Sequence, residues 1–471
     1  MADSGHASSE AIAPPAGSPA GASPQGHGLS ARDRRYAVFM LLVVSTVAFI
    51  DRSILNTVGQ AIKIDLHLSD TQLGLLGGAA FAILYGVLAI PVARLAERYN
   101  RVRIISISMA AWSAMTALCA TASGFGGLML ARIGVGIGEA GSGAPSQSLV
   151  GDYFPPDKRA SIFGILGLAT PIGIIIGGIG GAVVAESYGW RAAFLIVGLP
   201  GIALAALVWL TLKEPLRGLS DGRIASDVTP PLREVVRRLA GSPAFRNLLL
   251  AGTVVSFVGY AGMTFAHPFF VRNFDVGYTE AAIAFAVMNS ISLGSGSVLG
   301  GLFADRMGRR DIRWYGWVPA VCMICAAVTY MIGFSQTSWF WTILLLVPPG
   351  FFAGVFTGPT FAITSNLVEP RMRASATAIL TLTMSVLGMT LGPITAGWLS
   401  DVFAAQSFAG DYAATCTEAS TTAAAACGAA SAGGLRTALV TVCSFYVIAG
   451  FLFFRVARHL PRELAHMTER P

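Results

Sequence analysis

Charge is scarce in this chain: 12% of its 471 residues are Asp, Glu, Lys or Arg, about half the share usual in a soluble domain. With 54% hydrophobic residues and a mean hydropathy of +0.65, water is excluded as its main solvent and lipid takes that place. Histidine and cysteine are equally sparse. There are six of each, with no metal-ligand spacing and no cluster of acid–base groups at one membrane face. Neither a metal site nor a membrane-embedded lipid enzyme is therefore expected. The absence of a Walker motif removes ATP as the chain's own energy source. Gly136-Ile137-Gly138-Glu139-Ala140-Gly141 spells a dinucleotide fingerprint, but no strand precedes it and no βαβ unit fits within an apolar run. No cofactor is expected.

What the chain has instead is long apolar sequence. About 20 such residues span the hydrocarbon core, and runs of that kind lie near 37–59, 72–94, 103–124, 127–150, 160–185, 190–212, 247–270, 280–303, 314–335, 338–364, 374–399 and 435–457. They are too long and too uniformly apolar for barrel strands, so the expected fold is an all-α membrane protein, twelve transmembrane helices in two bundles of six. Residues 1–34 read as a disordered cytosolic tail, because the first 30 are rich in Ala, Gly, Ser and Pro and carry no signal-peptide pattern. The bundles are expected at 35–212 and 246–458, joined by a cytosolic linker at 213–245 and followed by a cytosolic tail at 459–471. In the linker, Leu232-Arg233-Glu234-Val235-Val236-Arg237-Arg238-Leu239 reads as a short amphipathic helix on the membrane surface.

Of the 32 Lys and Arg, 26 fall in the tails and even-numbered connections, four on the opposite side and two inside helices. That asymmetry places both termini in the cytosol. It also accounts for the net charge of +7 without any nucleic acid, since a basic cytosolic face lies beside anionic membrane lipid. Short loops point to a bacterial inner membrane. Cys119, Cys322, Cys325 and Cys443 lie inside apolar runs as small core residues. Cys416 and Cys427 share the connection 400–434 on the non-cytosolic side, where a disulfide is permitted and spacing alone leaves it open.

A repeat organises the rest. Ala93–Arg101 and Gly301–Arg309 lie 208 residues apart, each after the second apolar run of its half. In both, an acid four residues before an arginine puts opposite charges one helical turn apart where the chain leaves the bilayer. Gly143-Ala144-Pro145 matches Thr357-Gly358-Pro359, and Arg159-Ala160-Ser161 matches Arg373-Ala374-Ser375, at an offset of 214; Pro171 and Pro393 extend the match at 222. Parallel repeats around a central cavity are a common plan for secondary transporters.

From about residue 35 to 458 the chain resembles the major facilitator superfamily, and within it the Spinster branch. The residues that carry this are Ile50-Asp51-Arg52 in the first helix, Leu68-Ser69-Asp70-Thr71-Gln72-Leu73-Gly74 entering the second, Glu97-Arg98-Tyr99-Asn100-Arg101 after it, and Arg132-Ile133-Gly134-Val135-Gly136-Ile137-Gly138-Glu139 in the fourth. The resemblance implies a monomeric secondary transporter that moves a lysophospholipid or sphingoid phosphate by alternating access, driven by a proton gradient. It also implies a cytosolic gate, to which Glu97, Arg98, Arg101, Asp152, Arg159, Asp305, Arg306, Arg309, Glu369 and Arg373 are assigned as latching charges between the bundles. The chain departs from the superfamily pattern at Ala93, where glycine is usual, and at Glu97, where aspartate is usual.

Ionisable groups inside helices are expensive, about 2.5–3.5 kcal/mol each on insertion scales, and mark function. Asp51, Arg52, Arg132 and Glu139 qualify, and a buried network across the first and fourth helices is expected. Asp51 is the favoured proton carrier, with Glu139 second; Arg52 or Arg132 would hold an anionic headgroup, because guanidinium matches phosphate and carboxylate oxygens. Permanent pairing that only fixes helix packing is the structural alternative. Phe81, Tyr85, Tyr260, Met263, Phe265, Met288 and Phe361 are candidate cavity walls, with Asn289 beside the headgroup. His267, before Pro268, is expected to cap or face water. The competing substrate class is small organic anions or drugs.

Overall fold

A computed structural model describes residues 30–154, 162–163, 165–216, 232–368, 372–417 and 423–468. Local sequence signals start the early helices. Ser30 caps the first span, Ala31–Asp65, through a capping box with Asp33, and Ser69 does the same for the second with Gln72. That second span is Asp70–Gly77 and Ala79–Arg98, interrupted at Gly78. The third span is Arg101–Cys119, and the fourth is Phe125–Glu139 and Gly143–Tyr153, broken at residues 140–142. The fifth runs through Ala169–Ile175, a π-turn at Ile176–Gly180 and Gly181–Tyr188; the sixth is Trp190–Thr211.

The second half repeats this order. The seventh to ninth spans are Pro243–Phe274, Tyr278–Gly308 and Trp314–Phe334. The tenth is Trp339–Gly354 and Thr357–Asn366, broken like the fourth, and the eleventh and twelfth are Arg373–Ser407 and Ala424–Thr468. Ten helical stretches among the described residues are long and apolar enough to cross a membrane; the broken fourth span and the 31-residue eighth complete the twelve. The linker carries the helix Leu232–Gly241, whose Val235 and Leu239 are buried while Arg233 and Arg237 are exposed. Residues 1–29 and 217–231 lie outside the described residues.

The halves are each built on their own apolar core, one around Phe269, Met323 and Phe453, the others around Trp112 and Phe194, with Leu73 and Met389 reaching across to the other half's core. They meet at the end away from the chain termini, where the second and eleventh spans come into backbone contact. A Cβ on Gly74 would sit 2.2 Å from the Pro393 carbonyl oxygen, one on Gly78 2.2 Å from that of Met389, and one on Gly397 2.2 Å from that of Asp70. Only glycine permits this approach. Gly74→Val is therefore expected to disfavour the joined state by about 1–3 kcal/mol, read as a longer spin-label distance between the second and eleventh spans; an unchanged distance would remove this contact from the closure.

Candidate functional site

Asp51 and Arg52 interrupt the first span near its middle, and Arg132 and Glu139, two turns apart, share one face of the fourth. The fold brings all four together. Arg132 Nη1 lies 3.2 Å from Asp51 Oδ2, and Arg52 Nη2 lies 2.5 Å from Glu139 Oε1. Asp51, Arg132 and Glu139 are each 1% exposed, whereas the Arg52 side chain keeps 22% of its surface. Two acids and two guanidinium groups leave the set electrically neutral. Its hydrogen bonding is incomplete: Arg52 Nε, Arg132 Nε and Glu139 Oε2 are buried without a partner among the described residues.

The Thr116 hydroxyl, on the third span, donates to Asp51 Oδ1 and also lies 2.9 Å from the Trp112 carbonyl. A hydroxyl has one proton to give. With Asp51 ionised, Thr116 donates to the carboxylate; with Asp51 protonated, Asp51 donates to Thr116 and Thr116 to the carbonyl. Both protonation states find complete bonding at this position. Sequence reasoning missed Thr116, since one threonine in an apolar run gives no signal of which neighbour it faces.

Arg52 lies against aromatic faces, 4.7 Å from the Phe81 ring centre, 5.3 Å from Tyr85 and 5.4 Å from Phe49. Phe81 and Tyr85 stack at 5.1 Å. Such contacts hold a cation in a dry site without consuming its hydrogen-bond donors. Across the molecule, a cavity of 270 Å³ in the C-terminal bundle is lined by Tyr260, Met263, Met288 and Asn289, with Tyr330 and Tyr446 beyond them. Phe265 and Phe361 do not line it. Phe265 is fully buried in the core, and Phe361 is exposed on the tenth span. His267 is buried, against the expectation of a capping or water-facing role: it is 3% exposed, its ring lies 4.7 Å from Phe285 and both nitrogens are without a partner among the described residues.

The assigned gate charges occupy the end that carries the termini, but the described ones pair within their own halves. Arg101 is 1% exposed; it ion-pairs with Asp152, and with Glu214 at 2.6 Å, and donates to Ser148 at 2.9 Å. Asp305 accepts from the Tyr315 hydroxyl at 2.8 Å, and Arg98, Arg306 and Arg309 are exposed. Among the described residues, Arg101 and Asp305 are held by these partners of their own halves. Arg159 and Glu369 lie outside the described residues, as do the side chains of Glu97 and Arg373.

The charges that do join the halves lie at the far end. Asp70 receives both Arg272 Nη atoms at 2.7 Å, Lys63 Nζ at 2.7 Å and the Ser400 hydroxyl at 2.6 Å; Gln60 accepts from Arg272 Nε at 2.6 Å. Asp401 accepts from the Asp70 and Thr71 amides at 2.9 and 2.8 Å and from the Thr71 hydroxyl at 2.6 Å. Glu186 repeats the arrangement on the eighth span, accepting from the Thr279 amide at 2.9 Å and its hydroxyl at 2.6 Å. Each acid, at the end of the fifth or eleventh span, caps the helix that starts in the other half. Cys416 and Cys427 form a disulfide beside this latch, with Ser431 accepting from Arg272 at 3.3 Å. The signal for Asp70 lay in the Ser69-Asp70-Thr71 start of the second span; Arg272 looked like an ordinary helix-end charge.

Two six-helix halves, a buried charge network and a latch joining the halves at one end are the parts of a polytopic membrane transporter. The family model for the Major Facilitator Superfamily matches residues 41–393, and the chain belongs to that superfamily. An MFS-type efflux pump of Mycolicibacterium smegmatis is 31% identical over 373 residues, 78% of this chain and 84% of the pump. Protein spinster homolog 1 of Xenopus tropicalis is 27% identical over 402 residues, 79% of this chain and 74% of that protein. The crystal structure of a bacterial homolog of the human lysosomal transporter Spinster, inward-facing and unoccupied, superposes with a TM-score of 0.84 at 31% identity, covering 92% of this chain and 99% of that one. The chain is Spinster-like.

Proposed function

We propose that this transporter moves a single-chain amphiphile with an anionic headgroup, of the lysophospholipid or sphingoid-phosphate type, coupled to protons. The observation that carries the reading is the neutral Asp51–Arg52–Arg132–Glu139 set on one side of the central space, with an apolar cavity in the opposite bundle. Uptake of a proton by Asp51 or Glu139 leaves one positive charge uncompensated. Arg52, the partly exposed member of the set, then offers its guanidinium to a phosphate or carboxylate. A tail would lie against Met263, Met288 and Tyr446, where its burial is favourable by about 0.8 kcal/mol per methylene. Arginine-rich connections at the end with the termini support a cytosolic position for that end; in a bacterial inner membrane the latched end would then face outward, an inward-facing state. A monomer contains every element of this site.

A second reading, export of small organic anions or drugs, is favoured by the 31% identity to an efflux pump. Proteoliposome uptake separates the two. Labelled lysophospholipid and sphingosine 1-phosphate are expected to accumulate with a pH gradient and not without one. Displacement by water-soluble acids instead of single-chain lipids would sink the lipid assignment, and uptake indifferent to the gradient would sink the coupling.

A further inference from the structure

On the lipid-facing side of the C-terminal bundle, a groove of 690 Å³ runs between the eighth, ninth, tenth and twelfth spans. Leu299, Phe303, Trp314, Trp317, Val321 and Phe454 line it. Its closest backbone approach is where Gly300 meets Val355, since a Cβ there would come within 2.7 Å of the Val355 Cα. Leu299 lies ten residues, about 15 Å along the helix, from Arg309 in the connection to the ninth span, and Trp314 directly follows Arg313. One end of the groove thus lies deep in the bilayer and the other opens at a cluster of arginines.

The cluster carries a net positive charge. Arg309, Arg310 and Arg313 are exposed, and their side chains make no ion pair among the described residues. Asp305 accepts from Tyr315 at 2.8 Å and Asp311 from the Arg313 amide at 2.9 Å, and these two acids are outnumbered by Arg306, Arg309, Arg310 and Arg313. The internal repeat sharpens the contrast. Arg101, 208 residues before Arg309, is buried and neutralised by Asp152 and Glu214. The second copy has kept the arginine and left it facing the headgroup region, beside Arg310 and Arg313.

We infer that this groove is a binding site for an anionic phospholipid of the bilayer, its acyl chains between Phe303, Val321 and Phe454 and its phosphate on Arg310 and Arg313. A planar guanidinium fits phosphate oxygens in pairs, and basic pockets between spans on the cytosolic side suit such headgroups. The volume lies in the range of a specific ligand site. The site is separate from the charge network and does not depend on the identity of the transported substrate.

Native mass spectrometry of the detergent-purified full chain, titrated with phosphatidylglycerol and phosphatidylcholine, tests it. Phosphatidylglycerol is expected to bind at least about tenfold more tightly, which corresponds to roughly 1.4 kcal/mol. That preference is expected to disappear in Arg310→Gln/Arg313→Gln, whose exposed positions leave folding intact. Val321→Trp, which fills the groove with the arginines unchanged, is expected to weaken binding of phosphatidylglycerol. Equal retention of the two lipids by the wild type would overturn the inference, as would phosphatidylglycerol binding unaffected by Val321→Trp, which would assign the arginines a surface attraction without a groove.

Discussion

Arg132→Ala is expected to destabilise the folded protein by about 3–5 kcal/mol, because it leaves Asp51 buried with its charge uncompensated. A lower aggregation temperature in detergent, with gradient-driven transport lost, is the expected reading. Asp51→Asn removes the other partner. Its amide can still bond to Thr116, but Arg132 is left buried without a counter-charge, so stability falls here too while proton-driven movement disappears. The double variant Asp51→Asn/Arg132→Gln, which removes both charges, is expected to recover most of the stability and none of the coupling. Strictly additive losses in the pair would mean that the two residues do not act as a unit. Unchanged gradient-driven transport in Asp51→Asn would move the proton to Glu139.

Arg272→Ala has the second large effect. It removes two bonds to Asp70 and one to Gln60 at the latched end, leaving a buried carboxylate to Lys63 and Ser400 alone. Breaking one partner of such a pair costs several kcal/mol, but here separation of the halves lets Asp70 reach water. The expected result is a shift toward a state open at the far end, seen as a longer spin-label distance between the second and eleventh spans. Arg272→Lys is expected to restore part of the closure. A distance distribution identical to wild type in Arg272→Ala would deny the latch any part in the conformational balance.

Twelve spans, the internal repeat and the pairing region of the first and fourth helices were legible in sequence because each rests on a local quantity. Run length fixes a span, and a spacing of seven residues fixes a shared face, which is why Asp51, Arg52, Arg132 and Glu139 could be grouped before any contact was known. Thr116, Tyr330 and Tyr446 were not legible: a polar atom within an apolar helix gives no period from which its facing side follows. Phe265 and Phe361 were set beside the cavity on residue type, yet Phe265 turns into the core and Phe361 is exposed and does not line the cavity. The far-end latch was missed for a different reason. It is made between residues distant in sequence, Asp70 and Arg272 being 202 positions apart, and exists only when the halves are tilted together at that end.

The two carboxylate caps restrict how that end can open. Asp401 reaches from the second half to the start of a helix in the first, and Glu186 reaches from the first half to the start of one in the second. Two attachment points running in opposite directions across the seam resist shear and resist twisting about the membrane normal. A pair of fasteners so arranged leaves one easy degree of freedom, a tilt about the line joining them, until both release. The molecule is hinged there before it is unlocked.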